Sequence, residues 1–101
     1  MSLEKELSAD GTTLTIILDD KFDFGKVQDF REAYTSGSEG VTKIVVDLAN
    51  TEYMDSSALG MLLNMQKTLQ GQVSEFHIIN SRPPVAKILQ ISRFDKKFTI
   101  K

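Results

Sequence analysis

The six residues Lys43-Ile44-Val45-Val46-Asp47-Leu48 decide the fold of this chain. This run is almost continuously apolar and rich in β-branched side chains, which is typical of a parallel strand buried on both faces of a sheet. After a short turn comes the segment Met54-Asp55-Ser56-Ser57-Ala58-Leu59-Gly60-Met61-Leu62-Leu63, in which an extended stretch enters an apolar helix. We therefore expect a strand, a turn and a helix, with two adjacent serine hydroxyls at the start of the helix.

The residues before the central strand predict a hairpin and one helix. Apolar and polar residues alternate with period two from Leu3 to Ser8 and from Thr13 to Leu18, as in antiparallel strands. Asp10-Gly11 lies between the two segments and favours a tight turn. The apolar spacing from Lys26 to about Tyr34 then predicts an amphipathic helix that ends before the stretch 36–40.

The residues after the central strand predict two more helices. One apolar stripe predicts a helix from Ser57 to about Leu69, and Gly71 is expected to end this helix. The stripe consists of Ala58, Leu62, Met65 and Leu69 and is widened by Leu59 and Leu63. Residues 76–79 favour a strand, Pro83-Pro84 favours the first turn of a third helix, and 97–100 is a candidate edge strand.

The order of these elements predicts the architecture. We expect one α/β domain over residues 1–101, with a mixed sheet of four to five strands that opens with the antiparallel hairpin and continues with parallel strands. The helices should pack mainly on one face of the sheet. The opposite face would then be thinly covered.

Composition narrows the possible functions. The 101 residues are 41% hydrophobic and 26% charged, with a net charge of −2 and no cysteine, which indicates a globular domain without disulfides. The basic residues are scattered, so we expect no nucleic-acid partner. No apolar run approaches a membrane span of about 20 residues, and residues 1–3 lack the features of a signal peptide. We therefore expect a cytoplasmic protein without a membrane partner.

The sequence offers little catalytic machinery. His77 is the one histidine and lies within a predicted strand, and there is no G-x-S-x-G, H-E-x-x-H or P-loop motif. Five aspartates could meet at one end of the sheet and hold Mg²⁺, but turn and helix-start roles are the favoured explanation for them: Asp19, Asp20, Asp23, Asp47 and Asp55. We therefore expect a binding protein, not an enzyme, with no cofactor and no metal.

The paired serines carry the strongest functional signal. Serine is a good helix N-cap, and a cap contributes about 1 kcal/mol, but one residue suffices for that role. Ser56 and Ser57 both follow Asp55, beyond the carboxyl end of the central strand, where open α/β sheets present their functional loops. The doubled hydroxyl therefore favours a function beyond capping.

The run from Asp55 to Leu63, behind the strand 44–48 and the turn 49–54, resembles the motif of STAS domains, particularly that of bacterial anti-sigma factor antagonists. The resemblance extends over nearly the whole chain. Its supporting segments are Thr13 to Leu18, Phe22-Asp23-Phe24 and Arg93 to Phe98. Two departures stand out: Ala58 occupies a position that is commonly glycine in the family, and we expect the further helix that often ends family members to be absent, because the sequence stops at Lys101.

The resemblance implies a switch controlled by phosphorylation. In that family the serine matched by Ser56 is phosphorylated by a partner that is both an anti-sigma factor and a serine kinase, and Ser57 is a candidate secondary acceptor. The unmodified protein would bind this partner, and a metal-dependent serine phosphatase would restore it. The implied partner-binding residues are Asp23, Met54, Asp55, Ser56, Ser57, Ala58, Gly60 and Met61.

Two other functions stay open at this point. The aspartate cluster would suit a phosphoacceptor domain similar to response-regulator receivers. Alternatively, a STAS module can serve as a structural or sensory subunit of a transport or signalling complex, in which case Ser56 would only cap the helix.

Overall fold

The computed structural model describes residues 3–101, so Met1 and Ser2 lie outside the description. Among residues 3–101, seven strands form two sheets. The strands are β1 (Leu3–Leu7), β2 (Thr13–Leu18), β3 (Lys21–Phe22), β4 (Lys43–Asp47), β5 (Tyr53–Met54), β6 (Glu75–Ile79) and β7 (Thr99–Ile100). The main sheet has the order β1-β2-β4-β6-β7, and β3 and β5 form a separate two-stranded sheet. The main sheet is antiparallel between β1 and β2 and parallel elsewhere, which confirms the predicted mixed sheet.

The opening hairpin is held by its turn residues. Asp10 Oδ1 accepts hydrogen bonds from Ser8 Oγ at 2.6 Å and from the Thr12 backbone N–H at 3.1 Å. Gly11 has φ +74°, a left-handed conformation that suits glycine best. The hairpin predicted from Asp10-Gly11 is therefore confirmed.

The described part of the chain also contains three helices: α1 (Val27–Thr35), α2 (Ser56–Leu69) and α3 (Pro83–Ile91). Two short 3-10 turns, at Phe24–Lys26 and Phe94–Lys96, precede α1 and follow α3. Each predicted helix is confirmed with small shifts of its ends. Gly37, just past α1, adopts the left-handed conformation at φ +70°. Gly71 does not adopt it; instead, the N–H groups of Gln72 and Val73 both donate to the carbonyl of Leu69 as the chain leaves α2.

The helices cover one face of the main sheet. Alternate strand residues, such as Ile16, Ile44 and Ile78, are fully buried and belong to the same apolar cluster as helix residues Phe30 and Leu62. The residues between them on the strands point to the other face. There Thr15, Val45 and His77 lie side by side in register, outside the apolar cluster. The expected one-sided packing is confirmed, and the second face carries no helix among residues 3–101.

Two apolar patterns differ from expectation. On β1 only Leu3 joins the core; Leu7 is 52% exposed, and Lys5 Nζ donates to the carbonyls of Ala33 and Ser36. A cation is favourable at that carboxyl end of α1.

On α2 the buried stripe includes Met61, while Leu63 is 36% exposed. Residues 58, 61, 62, 65 and 69 follow the helical period more closely than a stripe widened by Leu63.

Among residues 3–101, no helix has the length and apolarity needed to cross a bilayer.

The one-sided packing can be tested with two neighbouring residues of β4. Val46→Thr should lower the free energy of unfolding by about 1–3 kcal/mol, because it places a hydroxyl in the apolar cluster without a partner. Val45→Thr should cost clearly less, because polar Thr15 and His77 flank it in register. Urea unfolding of the two variants measures both costs, and equal losses would show that the two faces are equally apolar.

Candidate functional site

The small sheet brings two aspartates to the same place. Phe22 of β3 pairs with Met54 of β5 in parallel, both side chains are buried, and the Asp55 N–H donates to the Phe22 carbonyl at 3.4 Å. Asp23 and Asp55 therefore leave the sheet side by side at its carboxyl end. This pairing differs from the predicted turn over residues 49–54, because two-residue strands are too short to show a period.

Polar contacts fix these two segments as one unit. The buried Thr51 hydroxyl donates to the Asp19 carbonyl at 2.8 Å, and the Glu52 N–H donates to the Asp20 carbonyl at 2.8 Å. Lys26 Nζ lies 3.1 Å from Asp19 Oδ1 and is largely buried. The loop before α1 and the turn before α2 are thus tied together before either helix begins.

Asp55 is the N-cap of α2, a role that the sequence analysis considered for a serine. Its Oδ1 atom accepts hydrogen bonds from the N–H groups of Ser57 at 3.0 Å and Ala58 at 3.2 Å, and from the Ser57 hydroxyl at 2.5 Å. These bonds favour the ionised carboxylate. They lower the pKa of Asp55, and the hydrogen bond from the Ser57 hydroxyl is the largest cause. Desolvation opposes this lowering of the pKa, and the N–H groups of Ala58 and Ser57 add to it.

The two serines consequently differ. Ser56 is the first residue of α2 and is exposed, and among residues 3–101 its hydroxyl has no hydrogen-bond partner. Ser57 is half-buried and its hydroxyl is bonded to Asp55. Ser56 is the hydroxyl available to another molecule.

Asp23 repeats the arrangement on a smaller scale. It caps the 3-10 turn, where its Oδ1 accepts from the Gly25 N–H at 3.0 Å. Phe24, the next residue, is 71% exposed, and Tyr53 of β5 is 52% exposed. Both aromatics were missed as site residues. For Phe24 the available signal was its position between Asp23 and Gly25, outside any apolar period; Tyr53 stands beside Met54 and gave no such signal.

Three of the implied partner-binding residues lie in the core instead. Met54, Ala58 and Met61 are 3%, 0% and 8% exposed and belong to the apolar core cluster. This corrects the expectation that they offer contacts to a partner.

The exposed side of α2 starts with different residues. Ser56, Gly60 and Leu63 follow one another at helical spacing, i, i+4 and i+7, and all three are exposed. A Cβ added at Gly60 would meet no atom within 4 Å, so this side of the helix is open.

The other candidate groups have local partners. Among residues 3–101, no three His, Cys, Asp or Glu side chains are grouped so that they could hold a metal ion. Asp47 Oδ1 accepts from the Ala49 N–H and from Asn80 Nδ2. His77 Nε2 lies 3.0 Å from Glu75 Oε1, on the face of the sheet that the helices leave open. Asp19, Asp23, Asp47 and Asp55 therefore act as an ion-pair partner, caps and a turn residue.

The fold and the site define a small α/β domain that presents an exposed serine at a capped helix start. The model of the STAS domain family matches residues 4–101, and the chain belongs to this family. A STAS-domain containing protein of Pseudomonas aeruginosa (strain UCBPP-PA14) is 47% identical over 93 residues, which cover 92% of each chain. An anti-sigma F factor antagonist of Paenibacillus polymyxa is 37% identical over 49 residues, which cover 48% of this chain and 42% of that protein.

Solved structures show the same fold. The unphosphorylated form of the anti-sigma factor antagonist SpoIIAA superimposes with a TM-score of 0.72 at 23% identity, covering 89% of this chain and 83% of SpoIIAA. The phosphorylated form of the Bacillus protein gives a TM-score of 0.75 at 22% identity, covering 99% and 91%. The predicted STAS-like architecture is therefore confirmed.

The Asp55 cap can be tested by substitution and pH. Asp55→Ala should lower the free energy of unfolding by about 0.5–2 kcal/mol at neutral pH. Asp55→Asn should keep most of the wild-type free energy of unfolding, because Asn caps about as well as Asp. Since the folded pKa of Asp55 lies below its ordinary value of 3.8, the charged cap stabilises the fold above that value and is lost as the pH falls through the folded pKa.

Asp55→Asn should accordingly lose less stability than the wild type between about pH 5 and pH 2. Asp10 and Glu75 also have lowered pKa values, but they are present in both proteins, so the difference isolates Asp55. Denaturant unfolding across this range is the measurement. Identical acid profiles for the two proteins would contradict the capping role.

Proposed function

We propose that this protein is an anti-sigma factor antagonist that works as a binding switch, with Ser56 as its phosphoacceptor. The observation that supports the proposal is that the cap of α2 and the exposed hydroxyl at its start belong to two different residues. Asp55 supplies the cap, so the exposed hydroxyl of Ser56 is not needed for the fold. A hydroxyl that the fold does not need, and that is accessible at the start of a helix, is suited to reversible modification.

The implied partner is an anti-sigma factor with serine kinase activity. It would transfer the γ-phosphoryl group of ATP to Ser56 Oγ: a new O–P bond forms, the bond to the β-phosphate breaks and ADP leaves, while a base of the kinase takes the hydroxyl proton. A metal-dependent serine phosphatase would hydrolyse the phosphoserine and restore the binding form. The existence of SpoIIAA structures in both forms and the anti-sigma F factor antagonist among the relatives support this assignment.

The partner would dock on the exposed residues around Ser56. We define the docking face as Phe24, Tyr53, Ser56, Gly60 and Leu63. Phe24 and Ser56 directly follow the two aspartates at the end of the small sheet, and the other residues extend the face along β5 and α2. Exposed aromatic residues are typical anchors of protein interfaces, and the bare backbone at Gly60 permits close approach of another chain.

Phosphorylation should change binding much more than folding. A phosphoserine carries about −1.5 to −2 charge, and an anion at a helix N-terminus gains about 0.3–1 kcal/mol. Repulsion from Asp55 and Asp23 opposes this gain, so the net effect on the free domain is small. In a complex the same dianion would be buried against the partner, and a buried charge without a good counterion costs several kcal/mol. The complex therefore dissociates while the domain stays folded.

The switch is tested at Ser56 with a purified anti-sigma factor kinase from the same genome. Ser56→Ala should bind it as the wild type does, whereas Ser56→Asp and the phosphorylated protein should bind at least about tenfold more weakly, which corresponds to about 1.4 kcal/mol. Isothermal titration calorimetry gives the affinities. Equal binding by all forms would contradict the proposal, and absence of phosphate on the Ser56 peptide after incubation with ATP would favour a structural STAS subunit.

The docking face is tested with two equally exposed residues. Phe24 is 71% exposed and Ile91, the last residue of α3, is 70% exposed. Each change to alanine should alter the free energy of unfolding by less than about 0.5 kcal/mol. Phe24→Ala should weaken binding of the anti-sigma factor kinase by about fivefold or more, as expected of an aromatic anchor, whereas Ile91→Ala should not. Equal effects would remove Phe24 from the interface.

A further inference from the structure

Two adjacent serines begin α2, yet the fold treats their hydroxyls differently. Consecutive side chains on a helix are about 100° apart, so one capping carboxylate cannot reach both in the same way. Asp55 Oδ1 receives the Ser57 hydroxyl at 2.5 Å as well as the Ser57 N–H. The Ser56 hydroxyl has no partner within residues 3–101 and faces solvent.

We propose that Asp55 and Ser57 form an acceptor lock, in which the hydrogen bond from Ser57 Oγ to Asp55 Oδ1 withholds Ser57 from phosphorylation and leaves Ser56 as the single acceptor. In this assignment Ser57 is a positioning residue that acts through Asp55. The inference rests on the proposed function, because it specifies which hydroxyl of the motif receives the phosphoryl group from ATP.

The lock follows from what phosphorylation of Ser57 would require. The hydroxyl must leave a charge-assisted hydrogen bond, which is among the stronger kinds in proteins. Once the O–P bond has formed, Ser57 Oγ has no proton to donate, and a phosphate dianion stands beside the Asp55 carboxylate. Like charges at this distance repel, so both the reaction and its product are disfavoured at Ser57.

The hydrogen bond does not activate Ser57 as a nucleophile. Activation would require Asp55 to accept the hydroxyl proton during attack, which calls for a base with a raised pKa. The bonds from Ser57 and Ala58 hold the pKa of Asp55 below its ordinary value, so Asp55 is a weak base and a good cap. Ser56 does not meet the first obstacle, because among residues 3–101 its hydroxyl donates no hydrogen bond, and the repulsion between a phosphate on Ser56 and Asp55 is offset by the helix N-terminus. The Ser56 hydroxyl is exposed, and the cap fixes the backbone on which it is presented.

The first test needs no kinase. The pKa of the Asp55 carboxyl group is measured by NMR titration in the wild type and in the variants Ser57→Ala, Ser57→Thr and Ser56→Ala. Ser57→Ala should raise the pKa of Asp55 because the hydroxyl donor is lost. Ser57→Thr should restore the low pKa, and Ser56→Ala should leave it unchanged. An unchanged pKa in Ser57→Ala, or an equal rise in Ser56→Ala, would overturn the lock.

The second test maps the phosphate by fragmentation mass spectrometry after incubation with the anti-sigma factor kinase and ATP. The wild type and Ser57→Ala should carry phosphate on Ser56, and Ser56→Ala should take up phosphate at least about tenfold more slowly, equivalent to about 1.4 kcal/mol. Adding Asp55→Asn to Ser56→Ala removes the repelling charge but keeps a good cap, and should raise phosphorylation of Ser57.

The two tests separate the two proposals. Phosphorylation of Ser57 in Ser56→Ala at the wild-type rate would overturn the lock while the switch survives. A wild-type protein that takes up no phosphate would overturn the proposed function, and the titration of Asp55 would still decide whether the Ser57 hydroxyl is held as described.

Discussion

The hydrogen bonds that Asp55 accepts at the start of α2 fix the geometry on which the rest of the site depends. One carboxylate oxygen holds the first backbone N–H groups of the helix and the hydroxyl of Ser57. It thereby sets where α2 begins and which of the two serines has a free hydroxyl. Without this cap, a serine would have to satisfy the helix end, and the exposed hydroxyl would acquire a structural role.

The cap is itself held in place by the small parallel sheet. The pairing of β3 with β5 carries Asp55 to the same end as Asp23, and the contacts of Thr51 and Lys26 with Asp19 tie the two segments together. Two caps therefore stand side by side, each followed by an exposed residue, Phe24 in one case and Ser56 in the other. The fold therefore presents an exposed aromatic side chain and an exposed hydroxyl directly after the two caps.

The predictable part of the structure follows from long apolar patterns. The central strand, the hairpin at Asp10-Gly11 and the three helices were all correctly predicted, because each has enough residues for a period or a strong turn signal to appear. The parallel direction of the later strands followed from the helices that connect them. The serine motif itself was recognised from local sequence.

The parts that were missed depend on contacts between distant segments. Two-residue strands show no period, so nothing near Phe22 or Met54 indicated that they pair. Met61 is a different case, because it fits the helical period of the buried α2 residues better than Leu63 does, so the sequence did contain that signal. The choice of Asp55 as the cap depends on its backbone conformation, since aspartate and serine are equally suitable caps by residue type.

Modification of Ser56 is proposed to change binding and to leave the fold intact. The most direct measurement uses protein with phosphoserine incorporated at position 56 during synthesis, for which both the free energy of unfolding and the affinity for the anti-sigma factor kinase are determined. The expected result is a change in unfolding free energy below about 1 kcal/mol together with at least about a tenfold loss of affinity. Unchanged affinity, or a loss of affinity that is accompanied by unfolding of the domain, would contradict the account.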